Sequence, residues 1–304
     1  MSTQSNPMPE SFQSQSIAPA VIPATRVFYW SVRRELSENR SIYLAPLAVA
    51  AVALFGFTIS IIAGIWERPL RFDPSRPQMP FDMAAGLLML TGIIVSLFYC
   101  LDALYGERRD RSVLFWKSLP VSDLTTVLSK ASIPLVVLPL LTFAITVAMQ
   151  WLMLLAGSAV VLASGQSVAM LWTNLSFVRM SLMLLYHLLT AHALWPAPIY
   201  CWLLLVSGWA RRAPFLWAVL PVVVVAGVEN LAFHTWHFAA LVGGRFMGDA
   251  PTVARTSPDM FPTDPMTHIA PGSFLGSPGL WIGLAIAAAF LVAAVRVRRY
   301  QGPI

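Results

Sequence analysis

Charged side chains are scarce in this chain. Asp, Glu, Lys and Arg together make up 11% of its 304 residues, whereas hydrophobic residues make up 57%. Soluble globular domains carry roughly a quarter charged residues. The composition therefore excludes an ordinary soluble protein and indicates an integral membrane protein.

Motifs for nucleotide or metal chemistry are also missing. The sequence contains no Gly-x-x-x-x-Gly-Lys-Ser/Thr phosphate loop, so we expect neither ATP binding by this chain nor an enzyme. No metal site is expected, because His234 and His237 share a helical face but have no third ligand nearby. The two cysteines, Cys100 and Cys201, lie in apolar runs, where a free cysteine acts as a small buried hydrophobe.

Long apolar runs are abundant. Crossing about 30 Å of hydrocarbon takes roughly 20 helical residues, and backbone groups in lipid must be hydrogen-bonded within their own segment. The sequence therefore predicts an all-α polytopic membrane protein with six transmembrane helices: Tyr43 to Trp66, Met83 to Leu104, Ile133 to Ala156, Met180 to Ser207, Phe215 to Ala232 and Gly279 to Val295.

The N-terminal segment divides into two parts. Residues 1–25 are rich in Ser, Gln and Pro, which predicts a disordered tail, and residues 26–304 form the transmembrane domain. Between Arg26 and Arg40, apolar and charged residues fall on opposite faces of a helix. We expect an amphipathic elbow helix in the plane of the interface. It either anchors the chain or docks a partner.

The distribution of Lys and Arg predicts the orientation. These residues concentrate before the first span, in the second and fourth loops and in the C-terminal tail. Because Lys and Arg mark cytoplasmic segments, both termini are expected in the cytoplasm. The net charge of +6 then reflects this bias and the anionic lipid of the inner leaflet, not nucleic-acid binding. The loop from Asn230 to Pro278 is expected to form an extracytoplasmic cap or a re-entrant helical hairpin.

Proline, glycine and two opposite charges mark further features of the spans. A kink or a break in the helix is predicted at each of five prolines: Pro134, Pro139, Pro196, Pro198 and Pro221. Small residues recur at four-residue spacing in the sixth span: Gly279, Gly283 and Ala287. This spacing allows another helix to approach closely, either within one subunit or between two. A possible ion pair joins Arg179 and Glu229, because both residues are placed at the same depth in adjacent spans.

The most informative segment is the charged loop after the second span. It reads Tyr105-Gly-Glu-Arg-Arg-Asp-Arg-Ser-Val-Leu-Phe-Trp-Lys-Ser-Leu-Pro-Val-Ser-Asp123. Together with Arg34-Glu-Leu-Ser-Glu-Asn-Arg-Ser-Ile-Tyr-Leu-Ala-Pro46 and Lys130, it resembles the permease subunit of an ABC-2 type transporter. Asp110-Arg111-Ser112 stands where many members of that family have Arg-Gly-Thr.

The resemblance implies an ATP-driven exporter subunit in a bacterial inner membrane. Its partners would be separate ABC ATPase subunits, which carry ATP and Mg, a second permease copy and membrane lipids. The loop would hold a short coupling helix from Arg108 to Leu119, seated in a groove of the ATPase. The implied coupling residues are Glu107, Arg108, Arg109, Asp110, Arg111, Phe115, Trp116, Lys117 and Pro120.

The substrate is not specified by the sequence. Tryptophan-rich walls are compatible with a lipid, a peptide or an amphipathic compound, and Trp is also common at membrane interfaces. Two other functions stay open. A secondary transporter would need charged or unwound helices near the middle of the membrane. A membrane anchor for a soluble complex would need neither such helices nor a coupling loop.

Overall fold

The computed structural model describes residues 23–62, 79–112, 121–163, 165, 172, 176–247, 253–254, 268–269 and 271–300. Over these residues the protein is predominantly helical. Six helical segments are long and apolar enough to cross a membrane, as predicted: Ser41–Ile61, Met79–Arg109, Asp123–Ala163, Phe177–Leu194, Pro214–Phe233 and Pro278–Tyr300. Length and apolar composition of these segments are compatible with a membrane protein.

The N-terminal helix α1 spans Ala24–Glu38. It begins two residues before the predicted elbow, so the last two residues of the predicted tail are helical, and residues 1–22 lie outside the described chain. Tyr29 and Trp30 are exposed on one side of α1, and Glu35 is buried on the other. Helix α2, Ser41–Ile62, follows almost directly and contains Pro46.

The second and third spans are continuous with short polar helices. Helix α3 covers Met79–Asp102, and the single turn α4 covers Tyr105–Arg109. Helix α5, Asp123–Ser132, begins at Ser122, whose hydroxyl accepts a hydrogen bond from the Thr125 amide. This is the usual chemistry of a helix N-cap.

A π-helical turn continues α5 into the third span. It covers Ile133–Val137 and leads into α6, Leu138–Ala163. The amide of Leu138 donates to the Ile133 carbonyl, five residues back. Pro134 has no amide hydrogen to give, and a π-helical turn is one way for a helix to accommodate such an interruption. The predicted kink at Pro134 is thus a widened turn within an otherwise continuous helix.

The fourth predicted span, Met180 to Ser207, is divided in the structure. Helix α7, Phe177–His187, continues into a π-helical stretch, Leu188–Leu194, and a separate helix α8 covers Ala197–Trp209. The interruption lies at Pro196, where a kink or break was predicted, because proline lacks the amide that would continue the helix. The 13 residues of α8 are about 20 Å long, which is short of a full membrane crossing.

The last third of the chain holds the fifth and sixth spans with a small structured region between them. Helix α9 covers Pro214–Phe233, α10 covers His237–Met247 and α11 covers Pro271–Leu275. The final helix α12 covers Pro278–Tyr300. Two very short antiparallel strands, Val253–Ala254 (β1) and His268–Ile269 (β2), qualify the all-α prediction.

The core lies where α8 packs parallel to α12, with α2, α3 and α6 beside them. Buried side chains in its centre include Ile42, Tyr99, Ile133, Tyr200 and Leu204. The small-residue stripe of α12 is an internal contact, since Ala287 packs against Ala197 and Cys201. Cys100 and Cys201 are both buried free thiols.

Candidate functional site

Ionisable side chains from four helices meet at the end of the bundle where α12 ends. Helix α1 contributes two of them, α4 one, α5 two and α12 one. We call the group the charge cluster: Arg34, Glu35, Glu107, Asp123, Lys130 and Arg298. Glu107 is 73 positions from Arg34 and 191 positions from Arg298 in the sequence, so the fold brings these residues together.

Glu107 occupies the centre of the charge cluster. Its Oε1 atom lies 3.0 Å from Arg34 Nη2 and 3.1 Å from Lys130 Nζ. Its Oε2 atom lies 2.5 Å from Arg298 Nη1. The carboxylate is 8% exposed, so three cations from three different helices replace its hydration shell. Charge-assisted bonds of this kind are the strong class of hydrogen bond.

Glu35 is the second buried carboxylate. Its Oε1 atom accepts hydrogen bonds from Lys130 Nζ at 2.8 Å and from Arg34 Nη2 at 3.0 Å. Its Oε2 atom accepts one from the Tyr99 hydroxyl of α3 at 2.9 Å. Lys130 therefore bridges Glu35 and Glu107. Its ammonium group links α1 to the start of the charged loop.

The rim of the charge cluster is more open. Arg298 Nε lies 3.1 Å from Asp123 at the start of α5, and Arg34 Nε lies 3.3 Å from Glu38. Partial burial raises the pKa of the Glu38 carboxyl above its ordinary value, and the Arg34 guanidinium opposes that rise. Because this group faces solvent, its pairing contributes little to stability.

The charge cluster is balanced in formal charge. Arg34, Lys130 and Arg298 stand against the carboxylates of Glu35, Glu107 and Asp123. A buried ion pair gives little net stability over an apolar alternative, but removing one partner is costly because the other charge is left buried. The cluster therefore fixes the relative positions of α1, α4, α5 and α12 more than it stabilises the fold.

The predicted coupling residues separate into three groups. Glu107 and Arg108 are buried, whereas Arg109, Asp110 and Arg111 are exposed. The docking anchors Phe115 and Trp116, with Lys117 and Pro120, lie outside the described residues. Glu107 and Arg108 thus already have partners within this chain.

Arg108 attaches the charged loop to the end of α8. Its Nη1 atom donates to the Gly208 carbonyl at 2.7 Å and to the Ala210 carbonyl at 3.1 Å. Carbonyls at a helix C-terminus lack partners within the helix, and a cation there also interacts favourably with the helix dipole. The segment 105–112 is thereby held beside the turn between α8 and α9.

Among the residues that the structure describes, the exposed part of the loop comprises Arg109, Asp110 and Arg111. Arg109 Nε pairs with its neighbour Asp110 at 3.0 Å, and both side chains are more than half exposed. Arg111 adopts a positive φ of 58°, which turns the chain away after α4. These side chains are placed where a soluble partner can reach them.

Five members of the charge cluster were absent from the predicted site: Arg34, Glu35, Asp123, Lys130 and Arg298. One signal in the sequence could have indicated them. The Lys and Arg counts place all four segments on the same side of the membrane, and each segment carries an acid or base in or beside an apolar helix. A charged side chain in or beside an apolar helix is stabilised by an opposite charge, so ion pairs among these segments are expected.

The predicted ion pair between Arg179 and Glu229 is not the contact that the structure makes. Glu229 accepts hydrogen bonds from the Thr235 hydroxyl and from the amides of His237 and Phe238, each within 3.0 Å. Arg179 is exposed. The sequence places both residues at one depth, but the Glu229 carboxylate is hydrogen-bonded by three donors that follow it closely in the sequence.

No relative of known function decides between these possibilities. Comparisons of the chain with protein-family models, with curated proteins and with solved structures find no match. Within the described ranges, no group of three or more His, Cys, Asp or Glu side chains is placed to hold a metal ion. The proposals below rest on the geometry of the residues themselves.

Proposed function

We propose that this chain is the transmembrane permease subunit of an ATP-driven exporter of the ABC-2 type. It would move a lipid, a peptide or an amphipathic compound across a bacterial inner membrane, with both termini in the cytoplasm. Separate ATPase subunits would supply the energy, and a second permease copy would complete the membrane part. Support comes from six apolar helices, the charged loop and the way in which that loop is attached.

The attachment of the charged loop carries the proposal. Glu107 lies at the start of the loop and contacts Arg34 of α1, Lys130 of α5 and Arg298 of α12. A partner that displaces the loop would displace these three helices with it. A flexible loop without these ion pairs would not transmit its displacement to the helices.

Energetics favour movement of the cluster as one unit. Separating a buried carboxylate from its cations costs about 3–5 kcal/mol, whereas a change in the docked loop need only tilt the helices together. The charge cluster is therefore suited to transmit force between a soluble motor and the spans. It is one contiguous network with named contacts, which is a physical basis for coupling.

The two halves of the loop would have different roles. Glu107 and Arg108 would connect it to the bundle, and the exposed residues from Arg109 onward, with Phe115 and Trp116, would contact the ATPase. Trp and Arg are enriched among residues that dominate binding energy. The orientation of docking would be set by the exposed charges.

The test is to purify the tagged full chain from its native membranes in mild detergent and identify what accompanies it. The proposal expects an ATPase with a phosphate loop, whose ATP turnover changes when the chain is present. Substrate movement driven by an ion gradient without nucleotide would instead support the secondary transporter. A stable complex without an ATPase or transport would support the membrane anchor.

A further inference from the structure

Helix α10 lies at the end of the bundle opposite the charge cluster, and it is attached there at both of its ends. At its start, the Glu229 carboxylate of α9 accepts the amides of His237 and Phe238, both at 2.8 Å. Near its end, Arg245 reaches away from α10 to Trp195, in the break before α8, and to Gly279 of α12. These two attachments differ in chemistry and in what they hold.

Arg245 makes three contacts that belong to two other spans. Its Nη1 atom donates to the Trp195 carbonyl at 2.9 Å, and its Nη2 atom donates to the Gly279 carbonyl. Its guanidinium carbon lies 4.2 Å from the centre of the Trp195 ring system, within range of a cation–π interaction. The indole of Trp195 donates in turn to the Gly244 carbonyl at 3.1 Å.

The break in the fourth span supplies the acceptor. In a continuous α-helix the Trp195 carbonyl would accept the amide of Ile199. Here the Ile199 amide donates to the Pro196 carbonyl at 2.8 Å. Arg245 satisfies the carbonyl that the break leaves open. The kink and the arginine therefore form one structural unit.

The small residues of α12 make room for this arginine. A Cβ atom on Gly283 would lie 2.5 Å from Arg245 Nη1, closer than real contacts allow. A Cβ atom on Gly279 would lie 3.4 Å from the Trp195 ring. The stripe that predicted close helix approach thus accommodates the Trp195 ring at Gly279 and the Arg245 guanidinium at Gly283.

The segment before α10 has the geometry of a hinge. His234 ends α9 with φ at 53°, in the left-handed region, and residues 234–236 separate the two helices. The arginine at the other end is held by carbonyl oxygens and a ring. No carboxylate lies within ion-pair distance of it among the residues that the structure describes. Such a contact is more easily released than the charge cluster.

We propose that α10 is a hinged strap across this end of the bundle, with Arg245 as the latch that fastens it to the kink at Trp195 and to the first turns of α12. With the latch closed, α10 is fastened to the break in the fourth span and to the start of α12. With it open, α10 swings on residues 234–236 and uncovers this end of the bundle, while α8 and α12 stay packed against each other. The inference does not depend on an ATPase partner.

Helix α12 contacts the latch near its start and contributes Arg298 to the charge cluster near its end. Gly279 and Arg298 are 19 positions apart on α12, or about 28 Å along its axis. A shift of α12 at the cluster would therefore be felt at the latch. If the proposed export function holds, the strap is the element whose opening the cluster would control.

The test is a distance measurement between spin labels on the strap and on α12. Labels are placed at two exposed positions through Leu241→Cys and Ile282→Cys, in a background with Cys100→Ala and Cys201→Ala. The purified full chain in nanodiscs is expected to give one narrow distance. Arg245→Gln should add a longer distance and raise the open-to-closed ratio at least about tenfold, equal to about 1.4 kcal/mol.

Further variants keep the test decisive. Gly283→Ala leaves every donor in place and should open the strap by steric displacement of Arg245 alone. Arg245→Lys should give an intermediate ratio, because an ammonium cannot span two carbonyls as a guanidinium does. Arg179→Gln, an exposed arginine, is the matched control and should keep the narrow distance. An unchanged distance in both Arg245→Gln and Gly283→Ala would overturn the proposal.

Discussion

Arg298 and Glu107 are separated by 191 positions in sequence, and their side chains lie 2.5 Å apart in a buried ion pair. The contact closes the bundle at one end, because it joins the last turn of the last helix to the turn that begins the charged loop. It also explains why Glu107 is turned inward and away from the surface on which a partner would dock.

Loss of either partner in this pair should destabilise the protein. Glu107→Gln removes the carboxylate that pairs with Arg34, Lys130 and Arg298. Arg298→Gln removes the cation closest to Glu107. We expect a loss of about 3 kcal/mol for each, measured by chemical unfolding in detergent. Arg299→Gln, an exposed neighbour on the same turn, is the matched control and should be near neutral.

The double variant separates a direct contact from two independent effects. If Glu107 and Arg298 act together, Glu107→Gln with Arg298→Gln should cost less than the sum of the single losses by at least about 1 kcal/mol. Additive losses would show that the pair is not an energetic unit.

Tyr99 should matter through its hydroxyl. That group donates to Glu35 Oε2 at 2.9 Å from a buried position. Tyr99→Phe removes a bond to a buried carboxylate and is expected to cost about 2 kcal/mol. Tyr29→Phe changes an exposed tyrosine of the elbow helix and serves as the control. Equal unfolding midpoints for the two variants would contradict the assigned contact.

Arg108 should restrain the first part of the charged loop. Arg108→Gln removes the bonds to the Gly208 and Ala210 carbonyls, which hold segment 105–112 to the end of α8. Trypsin cleavage within the loop should then accelerate by about tenfold, since proteolysis follows the population of the open form. Arg109→Gln, at an exposed position, should change the rate little beyond the loss of one cleavage site. Equal rates in the two variants would argue against the restraint.

Sequence alone could predict the spans because hydropathy and length determine them. It could not place the break at Trp195 and Pro196 with certainty, because a proline in a membrane helix gives either a mild kink or a full interruption. The outcome depends on whether another group satisfies the freed carbonyl. Here Arg245 does so, and it comes from a distant helix.

The charge cluster shows a second limit. A charged residue in a loop is usually solvated, so Glu107 was placed on the docking surface with its neighbours. Its burial depends on Lys130 and Arg298 arriving from elsewhere, which periodicity and charge counts do not reveal. The same limit explains Glu229, whose nearest donors lie in the turn that follows it and not on Arg179.

The orientation of the bundle is open to a direct test. Single cysteines from Ser167→Cys and Ser257→Cys, in a background with Cys100→Ala and Cys201→Ala, should react with an impermeant maleimide in intact cells. Ser118→Cys in the charged loop should react only after the membrane is opened. The Lys and Arg asymmetry gives this expectation. A reversed labelling pattern would invert the proposed topology.

The central claim is that the charged loop connects a soluble ATPase to the spans. The most direct measurement is the affinity of the co-purified ATPase for the chain in nanodiscs. Trp116→Ala should weaken it by about thirtyfold, or about 2 kcal/mol, with a similar loss for Phe115→Ala. Trp281→Ala, an exposed tryptophan at the other end of the bundle, should leave it unchanged. Wild-type affinity in both loop variants, with the protein monodisperse, would contradict the account.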